Sequence, residues 1–299
     1  MPYGVLESIK VLKSRLNINV MSLSHPFGTR MNSISPKHSE KVSNDFYALV
    51  SERHLPIDMI SSSIILSQGA LWKHRMIRDN APTHTRDDSS PIPAGTSTIV
   101  EWAMLDHLLE LHYVLLEVGK AELKDSMDDL DDLGQRISAT FRRTLPALRI
   151  ASKWLCANFK YVVQDQEYRS FQQTEKGKRS EKKKRTCNKI SGHSTKTLRF
   201  WKTYAQFSLA LSLAFPANKL PPLSAPLDED IEMRGFSPLR NLMDESKISS
   251  ADGVGQPREQ VHPNVEQLMR IADLLNDAKA LVAMEVCLVY YIYFVTGPI

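Results

Sequence analysis

The sequence predicts an all-α protein: antiparallel helical hairpins in a bundle- or solenoid-like arrangement, with long polar loops. Three observations carry that reading. Apolar residues recur at spacings of three and four in several long segments. No alternation of apolar and polar residues runs long enough for a strand, and no internal repeat of fixed period is present. With only 12 glycines in 299 residues, there is no strand–loop–helix unit to hold a nucleotide.

Residues 1–43 read as a disordered or atypical amino terminus. Within them, 22–43 carries Pro26 and Pro36 among scattered apolar residues without a period. Asn44 is placed as the cap of a short helix carrying Phe46, Leu49 and Val50. Segment 57–77 is ambiguous, because Ile60, Ile64 and Ile65 among serines suit a strand; the following GALWKHRMI favours a helix. Residues 78–98, with three prolines and many short polar residues, read as a mobile insert.

The clearest helix spans 99–119, with Met104, Leu108, Leu111, Leu115 and Val118 on one face and Leu105, Leu109 and Leu116 beside it. So wide a stripe belongs to a helix buried among others. The helix over 135–163 turns Ile137, Phe141, Leu145, Leu148, Leu155 and Phe159 inward, and leaves Arg142, Arg143, Arg149, Lys153 and Lys160 off the stripe. Pro146 inside it removes one hydrogen bond and clashes with the carbonyl of Arg142, predicting a kink or break.

Residues 169–194 form a second mobile insert, strongly basic. The helix over 195–215 directs Leu198, Trp201, Tyr204, Leu211 and Phe215 inward and stops at Pro216. The prolines that follow force extended backbone, and 241–262 reads as a third mobile insert. Asn264 then caps the last helix, with Gln267 at the capping-box position and a stripe of Val265, Leu268, Ala272, Leu275, Val282, Val286 and Val289. One helical domain thus covers 44–285. Residues 286–299 form an atypical apolar tail, expected to self-associate or detach. It is too short to span a bilayer, which needs about 20 apolar residues, so no membrane is expected.

The composition, 42% apolar and 24% charged, is that of a soluble globular chain. The three cysteines, Cys156, Cys187 and Cys287, form no CxxC and read as reduced thiols. The acids Asp125, Asp128, Asp129, Asp131 and Asp132 lack the alternating ligands, central glycine and terminal glutamate of a calcium loop. They read as a solvated turn that suits the positive end of the next helix. His107 and His112 stand five apart, on different helix faces, unlike a zinc-binding pair at i and i+4. No nucleophile elbow or phosphate loop is present. No catalysis, metal, cofactor or small-molecule substrate is therefore expected.

Charge is nearly balanced overall, with 38 basic and 34 acidic residues, but it is unevenly placed. From Lys176 to Lys202 eleven bases face the single acid Glu181. Such density attracts phosphate backbones through counterion release. Lys182, Lys183, Lys184, Arg185, Lys189, Lys196, Arg199 and Lys202 are the candidate contacts for RNA or single-stranded DNA. KGKRSEKKKR also fits a nuclear-import signal or a merely soluble insert. Phe200, Trp201 and Tyr204 suit either base stacking or the helical core.

Three segments carry a family resemblance. FRRTLPALRIASKWL (141–155) is similar to a helix of the form LLPALKVWLDWL. FWKTYAQFSLALSLAFP (200–216) resembles an FW..YA.FLN.L...FP helix. LPPLSAPLDEDIEMRGFSPLR (220–240) resembles the motif LPEDxELRGFLPL, here through Leu227, Glu229, Asp230, Arg234, Gly235, Phe236, Pro238 and Leu239. The family is the Est1 type, that of the yeast telomerase regulatory subunit and the nonsense-mediated mRNA decay factors. Over roughly 46–285 the resemblance implies helical hairpins that bind DNA or RNA. It further implies a non-catalytic adaptor with decay-factor or telomerase protein partners, in nucleus and cytoplasm. The family's amino-terminal 14-3-3-like domain is expected to be largely absent here. A purely protein-binding helical scaffold is the alternative. The motif loop reads as a structural lock, with Gly235 permitting a tight turn and Phe236 anchoring it.

Overall fold

A computed structural model describes residues 36–79, 94–125, 132–162, 195–239 and 261–284. Among these residues every regular element is helical, as expected. The elements are α1 (Pro36–Ser51), α2 (Ile57–Asp79), α3 (Ala94–Asp125), α4 (Ala139–Ala157) and α5 (Thr195–Ala214). A short α6 (Asp228–Glu232) lies between two 3-10 turns, Ala217–Lys219 and Ser237–Leu239, and α7 (Pro263–Ala283) closes the set.

The central helix is α3, which packs against α1, α2, α4 and α5. Its wide stripe explains that position: Leu108, Leu111, Leu115, Leu116 and Val118 are all buried. On the other side, α4 takes α2 and α7, and the turn at Ser237–Leu239 sits against α2 and α4. Phe141, Leu145, Leu148, Leu155, Trp201 and Tyr204 share one buried core, with Phe236 half-buried against it. Close approach of α5 depends on Gly119 of α3: a β-carbon there would stand 2.6 Å from the Phe207 ring.

Several expectations need correction. The first helix begins at Pro36 rather than at Asn44, so 36–43 is helical. Proline suits a helix start because its missing N–H has no intrahelical partner there. Asn44 lies inside α1, exposed, and caps nothing. Segment 57–77 is helical, and α2 and α3 extend into both ends of the expected insert 78–98. Pro146 does not break α4, which continues to Ala157; buried Leu145, Ala147 and Leu148 hold both sides of it in the core. The interruption comes instead at Asn158, whose backbone and side-chain nitrogens both donate to the Trp154 carbonyl.

Helix α7 is capped by His262, which accepts from the Asn264 N–H at 3.2 Å, with Pro263 in the first turn. Its inward face also differs from the expected stripe. Val282 is exposed, whereas Arg270, Asp273 and Asp277 are buried. On α4, Arg149 is buried too, although periodicity placed it off the stripe. Leu198, most of the acidic cluster, the insert 169–194, Val286, Val289 and the tail 286–299 lie outside what the structure describes.

Candidate nucleic-acid interface

Helix α5 presents Lys196, Arg199 and Lys202 to solvent. Three-residue steps fall about 60° short of a full turn, so the three lie along one side of the helix. The opposite side is core: Phe200, Trp201, Tyr204, Phe207 and Leu211 are buried. Phe200 and Trp201 stand 5.2 Å apart between ring centroids, and His112 lies 5.2 Å from Phe200. These aromatics therefore hold α5 to α3 and are closed to nucleobases. His112 stays neutral among them, its pKa pushed down to about 3 by burial.

The exposed basic side adjoins acids of α3. Arg199 pairs with Glu110 at 2.5 Å, and its guanidinium stacks 4.1 Å over the Tyr113 ring. Ser43 of α1 donates to the same Glu110 oxygen at 2.7 Å. Lower down, Glu117 accepts from Lys120 and Thr203, each at 2.9 Å. A cleft of about 480 Å³ opens between α1, α3 and α5 beside these pairs.

The second constellation is a buried charge clamp. Glu229 of α6 takes Arg270 of α7 in a two-pronged pair, Nε to Oε1 at 2.9 Å and Nη2 to Oε2 at 2.7 Å. Asp230 takes Arg149 of α4 at 2.7 Å and caps its own turn by accepting from the Leu227 N–H at 2.9 Å. Arg149 also donates to Asp273 at 2.6 Å, and Lys153 bridges Asp273 and Asp277, both at 2.7 Å. Burial disfavours each charge. For Glu229, the Arg270 and Arg149 guanidinium groups override it and hold the carboxyl below its usual range. Asp277 is the exception: burial wins over Lys153 and pushes it up to about 6.

A family profile described as the Est1 DNA/RNA binding domain matches residues 27–242. The chain belongs to this family. Neither the curated proteins nor the solved structures hold a significant match.

In this Est1-type domain the sequence candidates divide into three sets. Lys182, Lys183, Lys184, Arg185 and Lys189 lie outside the described residues, while Lys196, Arg199 and Lys202 share one side of α5. The motif residues come together at the clamp. Leu227, Glu229, Asp230 and Leu239 are buried, Arg234 and Gly235 are exposed, and Pro238 and Phe236 are at most half-buried. Gly235 adopts φ +78°, the left-handed turn its residue type favours. The motif is thus a structural element that joins α4 to α7.

Sequence reasoning missed Arg149, Lys153, Arg270, Asp273 and Asp277 as one network, and the cleft residues of α1 and α3. A usable signal was the acid pair Glu229–Asp230 between Leu227 and Leu239: carboxylates locked among apolar anchors need buried cations. Among the described residues no group of three or more His, Cys, Asp or Glu is arranged to hold a metal, and no helix is long and apolar enough to cross a membrane.

Proposed function

We propose that this domain is a non-catalytic adaptor of the nonsense-mediated decay or telomere-maintenance type that binds RNA or single-stranded DNA by its phosphate backbone, in nucleus and cytoplasm. The observation that carries the reading is the basic side of α5, where Lys196, Arg199 and Lys202 stand exposed at the end of the run that starts at Lys176. Membership of a DNA/RNA binding family supports it. Lys196 makes no ion pair among the described residues, so its charge remains available to a phosphate.

The salt dependence of single-stranded RNA binding tests this. Neutralising Lys196 and Lys202 together with the four bases at 182–185 removes their hold on phosphates. It therefore weakens binding and flattens the salt slope by about 0.7 for each phosphate no longer neutralised. Equal affinity and equal slope in the variant would remove this surface from the function.

A protein-binding scaffold is the second reading, favoured by Leu209 and Leu213 on α5. They are exposed one turn apart, Leu213 to 70%. In that case the basic run serves nuclear import, and the full chain binds no nucleic acid even at low salt.

A further inference from the structure

The cleft between α1, α3 and α5 has walls of three chemistries. Tyr47 lines it from α1, 38% exposed, and Tyr113 lines it from α3 beneath the Arg199 guanidinium. Lys196 and Arg199 supply positive charge from the α5 side. On the α3 side stands Glu110, whose Oε1 already accepts from Ser43 and Arg199, while Oε2 has no protein partner among the described residues. The Asn44 amide, also in the wall, is likewise unengaged among the described residues.

These walls sort the possible guests. A phosphate seated deep would meet the Glu110 carboxylate. A lysine or arginine side chain could reach Glu110 Oε2, but it would meet the positive charge of Lys196 and Arg199 on the facing wall. A nucleobase meets neither obstacle, because it is neutral and planar and stacks on tyrosine rings or guanidinium planes. Its exocyclic amino group is a donor, and Glu110 Oε2 and the Asn44 amide oxygen are open acceptors. We propose that this cleft receives one unpaired, amino-bearing base of a bound single strand, with Lys196 on the adjoining phosphate. The proposal rests on the nucleic-acid reading above and names the part of the strand that α5 alone cannot hold.

Three strands of equal length and charge test it on the full chain: oligoadenylate, oligouridylate and an abasic strand. Oligoadenylate binds tightest, about tenfold better than the abasic strand, within the range of one stacked base. Tyr47→Ala erases that difference, Tyr47→Phe keeps it, and Asn44→Ala narrows the gap between oligoadenylate and oligouridylate. Asn44 is exposed, so the melting temperature of Asn44→Ala stays unchanged, and Tyr47→Phe keeps the packing of the ring; together they separate a weakened base pocket from a damaged fold. If all three strands bind alike with a steep salt slope, the phosphate reading stands and the base pocket is refuted. If no strand binds, both fall. If a lysine-rich peptide binds in a Tyr47-dependent way and RNA does not, the cleft belongs to a basic protein partner and the proposal is overturned.

Discussion

The Nε of Arg149 stands 2.6 Å from Oδ2 of Asp273, both buried, although 124 residues separate them in the chain. That pair is the centre of the clamp: Arg149 also serves Glu229 and Asp230, so removing it takes a cation from three buried carboxylates at once. Arg149→Met is therefore expected to cost about 3–5 kcal/mol in urea unfolding, since Glu229, Asp230 and Asp273 lose a shared cation. A loss below about 1 kcal/mol would mean that water reaches the cluster and solvates it.

Acid response is the second test. Asp277 is raised to about 6 by burial, so the folded chain takes up its proton before the unfolded chain does. Its contribution to stability improves as pH falls through about 6. His112 runs the other way. Held down to about 3 by burial, it makes the unfolded state the better proton acceptor below about pH 6.5, and stability falls. Between about pH 6 and 4 the two oppose each other. Asp277→Asn should therefore sharpen the loss of melting temperature over that interval, and His112→Leu should reverse it. Identical pH profiles for both variants and the wild type would dismiss the scheme.

Steric fit at the α3–α5 crossing gives a third. A β-carbon on Gly119 would lie 2.6 Å from the Phe207 ring and 3.3 Å from that of Phe141. Gly119→Ala is expected to destabilise the fold by about 1–3 kcal/mol through overpacking. Adding Phe207→Leu frees room, so a double-mutant cycle should show the two changes to be strongly non-additive.

The motif loop supplies a fourth. Leu239 is buried, whereas Phe236 is only half-buried, its ring edge over Gly69 of α2. Leu239→Ala should cost about 2–5 kcal/mol and Phe236→Ala less than the ~3–5 kcal/mol of a fully buried phenylalanine. Chemical denaturation of both variants ranks them. The opposite ranking would make Phe236 the anchor.

The stripe of α3 and the inward faces of α4 and α5 were legible because apolar periodicity reports burial directly. The same rule hid the clamp. It assigns every charged position to solvent, and nothing local to Arg149 or Arg270 marks a partner brought in by the chain's path. The start of α1 was missed for a smaller reason, since a proline that ends one helix opens another. On α5, Lys196, Arg199 and Lys202 could be named as candidates, and the helix expected over 195–215 aligns them; the α3 acid that Arg199 meets, Glu110, could not be read. The cleft was illegible, because Tyr47 and Tyr113 meet only through packing of α1 on α3.

Charge order along α7 has a consequence for how this helix finds its place. Read from its amino end, Arg270, Asp273 and Asp277 present a base and two acids along the side that meets α4 and α6, and Glu266 stands one turn before them, paired with Arg270. Slid by one turn, either Glu266 or Leu274 would occupy the seat of Arg270: the first would face Glu229 with a like charge, the second would leave that buried carboxylate without its partner. The pattern works as a key with a single fit, choosing register where an apolar face would accept several.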